Sequence, residues 1–138
     1  MMQAKQNAWV FGATGLTGRS VVQALCLAGV QCYAHLRPNS SRRVFVEPMF
    51  RECGAHIATF DWQMTAVRAA FNSAPPNVVF LTLGTTNSRA KLDGQGYRTV
   101  DYGLTKMVLD VLRTDFPKTQ IVYLSAVRNT SSTIFVRP

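Results

Sequence analysis

Apolar residues recur along this chain with two different periods. Short runs of strand length at Ala8–Phe11, Val30–Leu36, Ala55–Phe60, Val78–Leu83 and Gln120–Leu124 are separated by longer stretches. In those stretches apolar positions return every three or four residues, as on one face of a helix. The first helix is predicted from Gly15 to Ala28, with Leu16, Val21, Val22 and Leu25 turned inward and Gly29 as a left-handed C-terminal cap. A second helical element over Ser41–Cys53 is expected to be short or kinked, because Pro48 interrupts it, and to end near Gly54. A third covers Thr65–Phe71. A fourth, from Tyr97 to Thr114, buries Val100, Leu104, Met107, Val108, Val111 and Leu112. Val78–Leu83 is almost uninterrupted apolar, as befits a central parallel strand covered on both faces. This alternation predicts an α/β domain spanning residues 1–138: a doubly wound parallel sheet of strand order 3-2-1-4-5.

Composition narrows the class. With 138 residues, 47% of them hydrophobic, the chain can bury one core and not two. Met1–Asn7 is polar and no apolar run approaches the length of a bilayer span, so a soluble, cytoplasmic protein is expected, with no membrane partner. Cys26, Cys32 and Cys53 have neither metal-ligand nor redox spacing, and their odd number argues against a disulfide framework. They are expected to be reduced and buried, and no metal site is expected. The net charge of +8 raises nucleic acid as a partner. Its distribution weighs against that: Arg37, Arg42, Arg43 and Arg51 form one loop cluster and Arg89, Lys91 and Arg98 another, without interleaved aromatics.

Candidate chemistry begins where the first strand ends, at Gly12-Ala13-Thr14-Gly15-Leu16-Thr17-Gly18. Gly12 and Gly15 can adopt backbone angles closed to other residues and let a ligand lie against the main chain, while Gly18 lets the helix pack close to the strand. The first N–H groups of that helix lack internal partners and suit a pyrophosphate. The spacing is G-x-x-G-x-x-G, which also occurs in ordinary strand–helix turns; the preceding strand, the following helix and the prompt second strand favour the phosphate reading.

The tip of the second strand is where a dinucleotide-binding fold meets a ribose 2′-hydroxyl with an acid or a 2′-phosphate with a cation. No acid occurs between Gly12 and Val46, whereas Arg37 is followed by Ser40, Ser41, Arg42 and Arg43. NADP is therefore expected over NAD, the alternative being that Arg37 is a solvent-facing loop residue. Asp61 and Trp62 close the third strand and can meet the edge and face of an adenine; Asp61 can equally cap the helix that follows. Gly84-Thr85-Thr86 follows the fourth strand at the edge where open α/β sheets bind ligands, and Ser125 stands at the tip of the fifth.

These motifs, with Leu83, the segment Tyr97–Tyr102 and Tyr123-Leu124-Ser125-Ala126, resemble the atypical and extended short-chain dehydrogenase/reductases, a Rossmann family, and most of all its Tat-interacting-protein and NmrA-like branch. The resemblance implies that Gly12, Thr14, Gly15, Leu16 and Thr17 contact the pyrophosphate, Arg37 the 2′-phosphate, Asp61 and Trp62 the adenine, and Leu83, Gly84 and Thr85 the nicotinamide end. It also implies a catalytic Ser125 working with a downstream Tyr-x-x-x-Lys, in which the lysine lowers the tyrosine pKa for proton transfer. Here Thr130–Pro138 holds neither Tyr nor Lys. The chain is thus expected to lack that pair and the C-terminal part of the family fold.

Two functions follow: the NADP(H)-binding domain of an oxidoreductase acting on a small carbonyl substrate, or a non-catalytic NADP(H)-binding module that regulates a protein partner. A homo-oligomer is compatible with either.

Overall fold

The computed structural model describes residues 5–83, 97–126 and 132–137. Six strands form one sheet in the order β3-β2-β1-β4-β5-β6. They are β1 (Asn7–Phe11), β2 (Gln31–Leu36), β3 (His56–Thr59), β4 (Val78–Leu81), β5 (Gln120–Ala126) and β6 (Ser132–Arg137). The first five are mutually parallel. Among the described residues, four helices connect them: α1 (Leu16–Leu27), α2 (Arg43–Cys53), α3 (Met64–Ser73) and α4 (Tyr97–Asp115).

The predicted order 3-2-1-4-5 is observed, and β6 extends it. This strand runs antiparallel along β5, pairing Ser125 with Thr133 and Ala126 with Ser132. Sequence reasoning expected β5 to end at Leu124 with Ser125 at its tip. The partner strand carries the ladder through Ser125 to Ala126 instead.

Side-chain alternation along β1 divides the core. Trp9 and Phe11 point to one face, where Val67 and Phe71 of α3 and Val108, Val111 and Leu112 of α4 cover them. Val10 points to the other, packed with Val22 of α1, Val46 and Phe50 of α2, and Cys32, Ala34 and Leu36 of β2. Phe11, Phe71 and Phe50 are fully buried, and at about 25 cal/mol per Å² of apolar surface such rings are the main stabilising contributors of a domain this small. The indole N–H of Trp9 donates to the Ala74 carbonyl at 2.9 Å, so its burial leaves no polar atom unpaired.

Three local expectations are corrected. Helix α2 runs through Pro48 to Cys53. The proline removes one hydrogen bond, while burial of Val46 and Phe50 and the ion pairs of Glu47 with Arg43 and Arg51 sustain the helix. Gly54, at φ +90°, then ends it as expected. Leu16 is 75% exposed rather than core-facing; it is the first residue of α1, and the buried residues of the helix are Gly18 and Val22. The fourth strand stops at Leu81, and Thr82 turns its hydroxyl back onto β1.

Candidate functional site

From β1 the chain winds outward through β2 to β3, then returns to the other side of β1 to form β4. The two connections leave β1 and β4 in opposite directions, which opens a crevice at their carboxyl ends. The glycine turn fills the floor of that crevice.

Its three glycines have different reasons to be glycine. Gly12 has φ +83°, and a Cβ there would lie 2.6 Å from the Thr82 carbonyl oxygen. A Cβ on Gly18 would overlap the Gly12 carbonyl oxygen and come within 2.8 Å of the Ala13 Cα. Both are therefore required by packing. Gly15 is different: its φ of −74° and ψ of 167° are open to any residue, correcting the expectation of special backbone angles. A Cβ there would meet only the Gly12 carbonyl, at 3.6 Å. Gly15 thus keeps an open face clear at the mouth of α1.

That helix end is the positive pole of the α1 dipole. Gly15 is its N-cap and offers no side-chain hydrogen bond, and the first turn holds no acid. The N–H groups of Leu16, Thr17 and Gly18 therefore keep their partial charge for an incoming anion. Thr14 is half-buried and Thr17 exposed beside them. Thr82 anchors the turn from just beyond β4: its hydroxyl donates to the Phe11 carbonyl at 2.7 Å, and its N–H to the same oxygen at 2.9 Å. Sequence reasoning missed Thr82, and the one signal available was a hydroxyl breaking the apolar run of β4.

The basic loop after β2 lies alongside. Arg42 donates from Nη1 to the Thr14 carbonyl at 3.3 Å, which brings its guanidinium to the glycine turn. Ser40 closes a turn over Arg37, its N–H donating to the Arg37 carbonyl at 3.2 Å. The Arg37 side chain is half-buried and makes no hydrogen bond or ion pair with the described residues. Arg43 is engaged elsewhere, with Glu47 and, at 2.9 Å, the Thr59 hydroxyl. Of the predicted cations, Arg37 and Arg42 therefore remain available to a phosphate.

Asp61 and Trp62 follow β3 at the same edge. The N-cap of α3 is Gln63 and no side chain caps that helix, so Asp61 is not the cap. Trp62 is half-buried, packed on Phe11 with ring centroids 5.5 Å apart and edge-on to His35 at 4.9 Å. His35 is 3% exposed and its Nε2–H donates to the Phe60 carbonyl at 2.8 Å, which fixes the strand end that carries Asp61 and Trp62. Burial holds its pKa below the ordinary 6.5, so the ring is neutral at physiological pH. Nothing in the sequence marked His35, which sits inside an apolar run.

Leu83 is half-buried just beyond β4; Gly84 and Thr85 lie outside the described residues. The expectation that the chain lacks a Tyr-x-x-x-Lys is corrected by Tyr102-Gly103-Leu104-Thr105-Lys106. This spacing falls on α4, ahead of Ser125 and not after it, and the Lys106 ammonium is 2.9 Å from the Asp110 carboxylate one turn further along.

Neither a family model nor a curated protein matches the chain. Its fold, in contrast, is shared with many solved structures. AtPrR2 with NADP+ and (+)-pinoresinol aligns at a TM-score of 0.65 and 20% identity, over 82% of this chain and 34% of that one. The fold is of the Rossmann type. A binary complex of leucoanthocyanidin reductase and NADPH from Vitis vinifera aligns at 0.57 and 16% identity, over 85% of this chain and 48% of the other. A nucleoside-diphosphate-sugar epimerase from Pseudomonas aeruginosa aligns at 0.59 and 17%, over 87% and 33%. The chain thus spans about a third to a half of the length of these structures. Among the described residues, no helix is long and apolar enough to cross a membrane.

Proposed function

We propose that the chain is the NADP(H)-binding domain of an oxidoreductase similar to the atypical short-chain dehydrogenase/reductases, in their Tat-interacting-protein and NmrA-like branch. One observation carries this reading: an uncapped, acid-free helix N-terminus behind the open face of Gly15, with Arg42 bonded to the turn and Arg37, at the end of β2, without a partner among the described residues. The pyrophosphate would lie over Gly12, Thr14, Gly15, Leu16 and Thr17, with Gly18 holding the helix close beneath. Arg37, Arg42 and the Ser40 hydroxyl would take the 2′-phosphate, Asp61 and Trp62 the adenine, and Leu83, Gly84 and Thr85 the nicotinamide end. When bound, NADPH supplies a hydride; Ser125 would hydrogen-bond a substrate carbonyl. The NADP+ and NADPH held by two structures of this fold support the choice of cofactor.

Isothermal titration tests it. NADPH is expected to bind more tightly than NADH, and Arg37→Asp to narrow or invert the preference. Equal affinities in the unsubstituted chain would overturn the assignment of Arg37.

A second reading, a non-catalytic NADP(H)-binding module read by a protein partner, is favoured by the placement of Ser125. Its backbone lies within the β5–β6 ladder and not at a free strand end.

A further inference from the structure

Cys26, Cys32 and Cys53 stand far apart in sequence but converge under the α1–α2 face of the sheet. Cys26 is in the last turn of α1 and Cys53 is the final residue of α2. Their sulfurs are 3.2 Å apart, and the Cys53 thiol also lies 3.3 Å from the Phe50 carbonyl. Both are half-buried, whereas Cys32 on β2 is 1% exposed beneath them. Among the described residues no group has the arrangement to hold a metal ion, so the chemistry open to this cluster is that of sulfur itself.

We infer that Cys26 and Cys53 are an oxidisable dithiol, a modification site at which a small-molecule disulfide converts the pair into a disulfide joining the C-terminal ends of α1 and α2. One thiolate attacks the reagent, forming a mixed disulfide and expelling one thiol. The second attacks the protein sulfur of that mixed disulfide, expelling the other. The two protein thiols are oxidised, the reagent is reduced to two thiols, and the two protons pass to the leaving sulfurs. Closing the bond brings the sulfurs from 3.2 Å to about 2.05 Å, a movement within reach of side-chain rotation.

Position also sets the speed. Cys26 sits in the last turn of α1, at the negative end of the helix, which disfavours its thiolate. Burial, aided by the Cys53 hydrogen bond, pushes Cys26 up to about 11, and burial pushes Cys32 up to about 12. Attack by Cys26 is therefore slow at neutral pH and accelerates roughly tenfold per pH unit while its thiolate fraction is small. The site is at the amino edge of the sheet, opposite the glycine turn, and this inference stands apart from the cofactor reading.

The test incubates the full chain with oxidised glutathione at alkaline pH, quenches with acid, alkylates free thiols and measures the intact mass. The expected product is two hydrogens lighter, carries one alkylated cysteine and no glutathione, and has a higher urea midpoint than the reduced chain. Trypsin should then yield residues 20–42 cross-linked to residues 52–68, and fragmentation should place the bond at Cys26. Cys32→Ser should retain the cross-link and Cys26→Ser should lose it. A product bearing glutathione adducts, one with three alkylated cysteines, or a cross-link mapping to Cys32 overturns the inference. Peptide mapping of the unsubstituted chain decides the matter even if a variant folds poorly.

Discussion

Replacing each glycine of the β1–α1 turn should separate folding from binding, because the structure gives them unequal work. In Gly12→Ala the new side chain must accept φ +83°, which costs an L-residue about 1–2 kcal/mol. It also presses 2.6 Å from a backbone oxygen that cannot rotate away, an overpacking term of about 1–3 kcal/mol. The sum, roughly 3 kcal/mol, is a large share of the stability of a small domain. Gly15→Val meets neither obstacle, since φ −74° is allowed and only the Gly12 carbonyl lies near, at 3.6 Å. Loss of glycine freedom in the unfolded chain favours the variant by about 0.4–1 kcal/mol, while valine is a poorer N-cap than glycine by a similar amount. Gly15→Val should therefore match the parent within about 1 kcal/mol in urea unfolding. Its side chain would nevertheless occupy the open face where the pyrophosphate is proposed to lie. NADPH affinity should fall at least about tenfold, equivalent to about 1.4 kcal/mol. A Gly15→Val protein that unfolds outright would show the glycine to be needed for the turn itself. One that is stable and binds NADPH normally would remove the turn from the cofactor site.

Three further outcomes are expected. Because burial lowers the His35 pKa, the unfolded chain alone binds that proton as pH falls through about 6.5, so native stability declines below this pH until the native imidazole also titrates. His35→Phe should unfold more easily, with the Phe60 carbonyl left unpaired, but should show a shallower acid-side slope; unchanged slopes would refute the assignment. Thr82→Val removes the 2.7 Å hydrogen bond to Phe11 and should cost about 1 kcal/mol, with weaker NADPH binding, both measurable on one preparation. The 138-residue chain is expected not to reduce aldehydes or ketones with NADPH above background, since a developing alkoxide needs a proton, a general acid typically supplies 10²–10⁴ in rate, and the Tyr102–Lys106 pair lies on α4 ahead of Ser125 with Lys106 paired to Asp110. Turnover lost in Ser125→Ala or Tyr102→Phe would overturn this, and the second variant would identify α4 as the proton source.

The parts of the fold and site legible in the sequence are those set by local rules. The buried strand Ala8–Phe11, the turn glycine at position 12, the close-packing glycine at 18, the left-handed cap Gly29 and the helix end near Gly54 each depend on a few neighbouring residues. The strand order followed from alternation and chain connectivity alone. What escaped was decided by distant partners. Leu16 has helical spacing with the core residues of α1, but as the first residue of that helix it is left exposed, which depends on what packs against the helix and not on spacing. Pro48 breaks a helix in isolation and is tolerated where Val46 and Phe50 are buried on either side. The run Ser132–Arg137 is short, and its pairing with β5 depends on the register of another strand. Three cysteines with no motif spacing meet because α1 and α2 end over the same strand.

Thr82 has a consequence in time as well as in space. The turn that follows β1 is pinned by a residue 71 positions after Phe11, and the carbonyl it grips belongs to the strand leading into that turn. A nascent or fragmentary chain that has made β1, α1 and β2 holds every glycine of the turn but not the group that fixes its floor. Contacts of such long sequence separation form late, after loop closure has been met by other interactions. The crevice is therefore complete only once β4 has docked on β1, and a cofactor that binds there would select such chains.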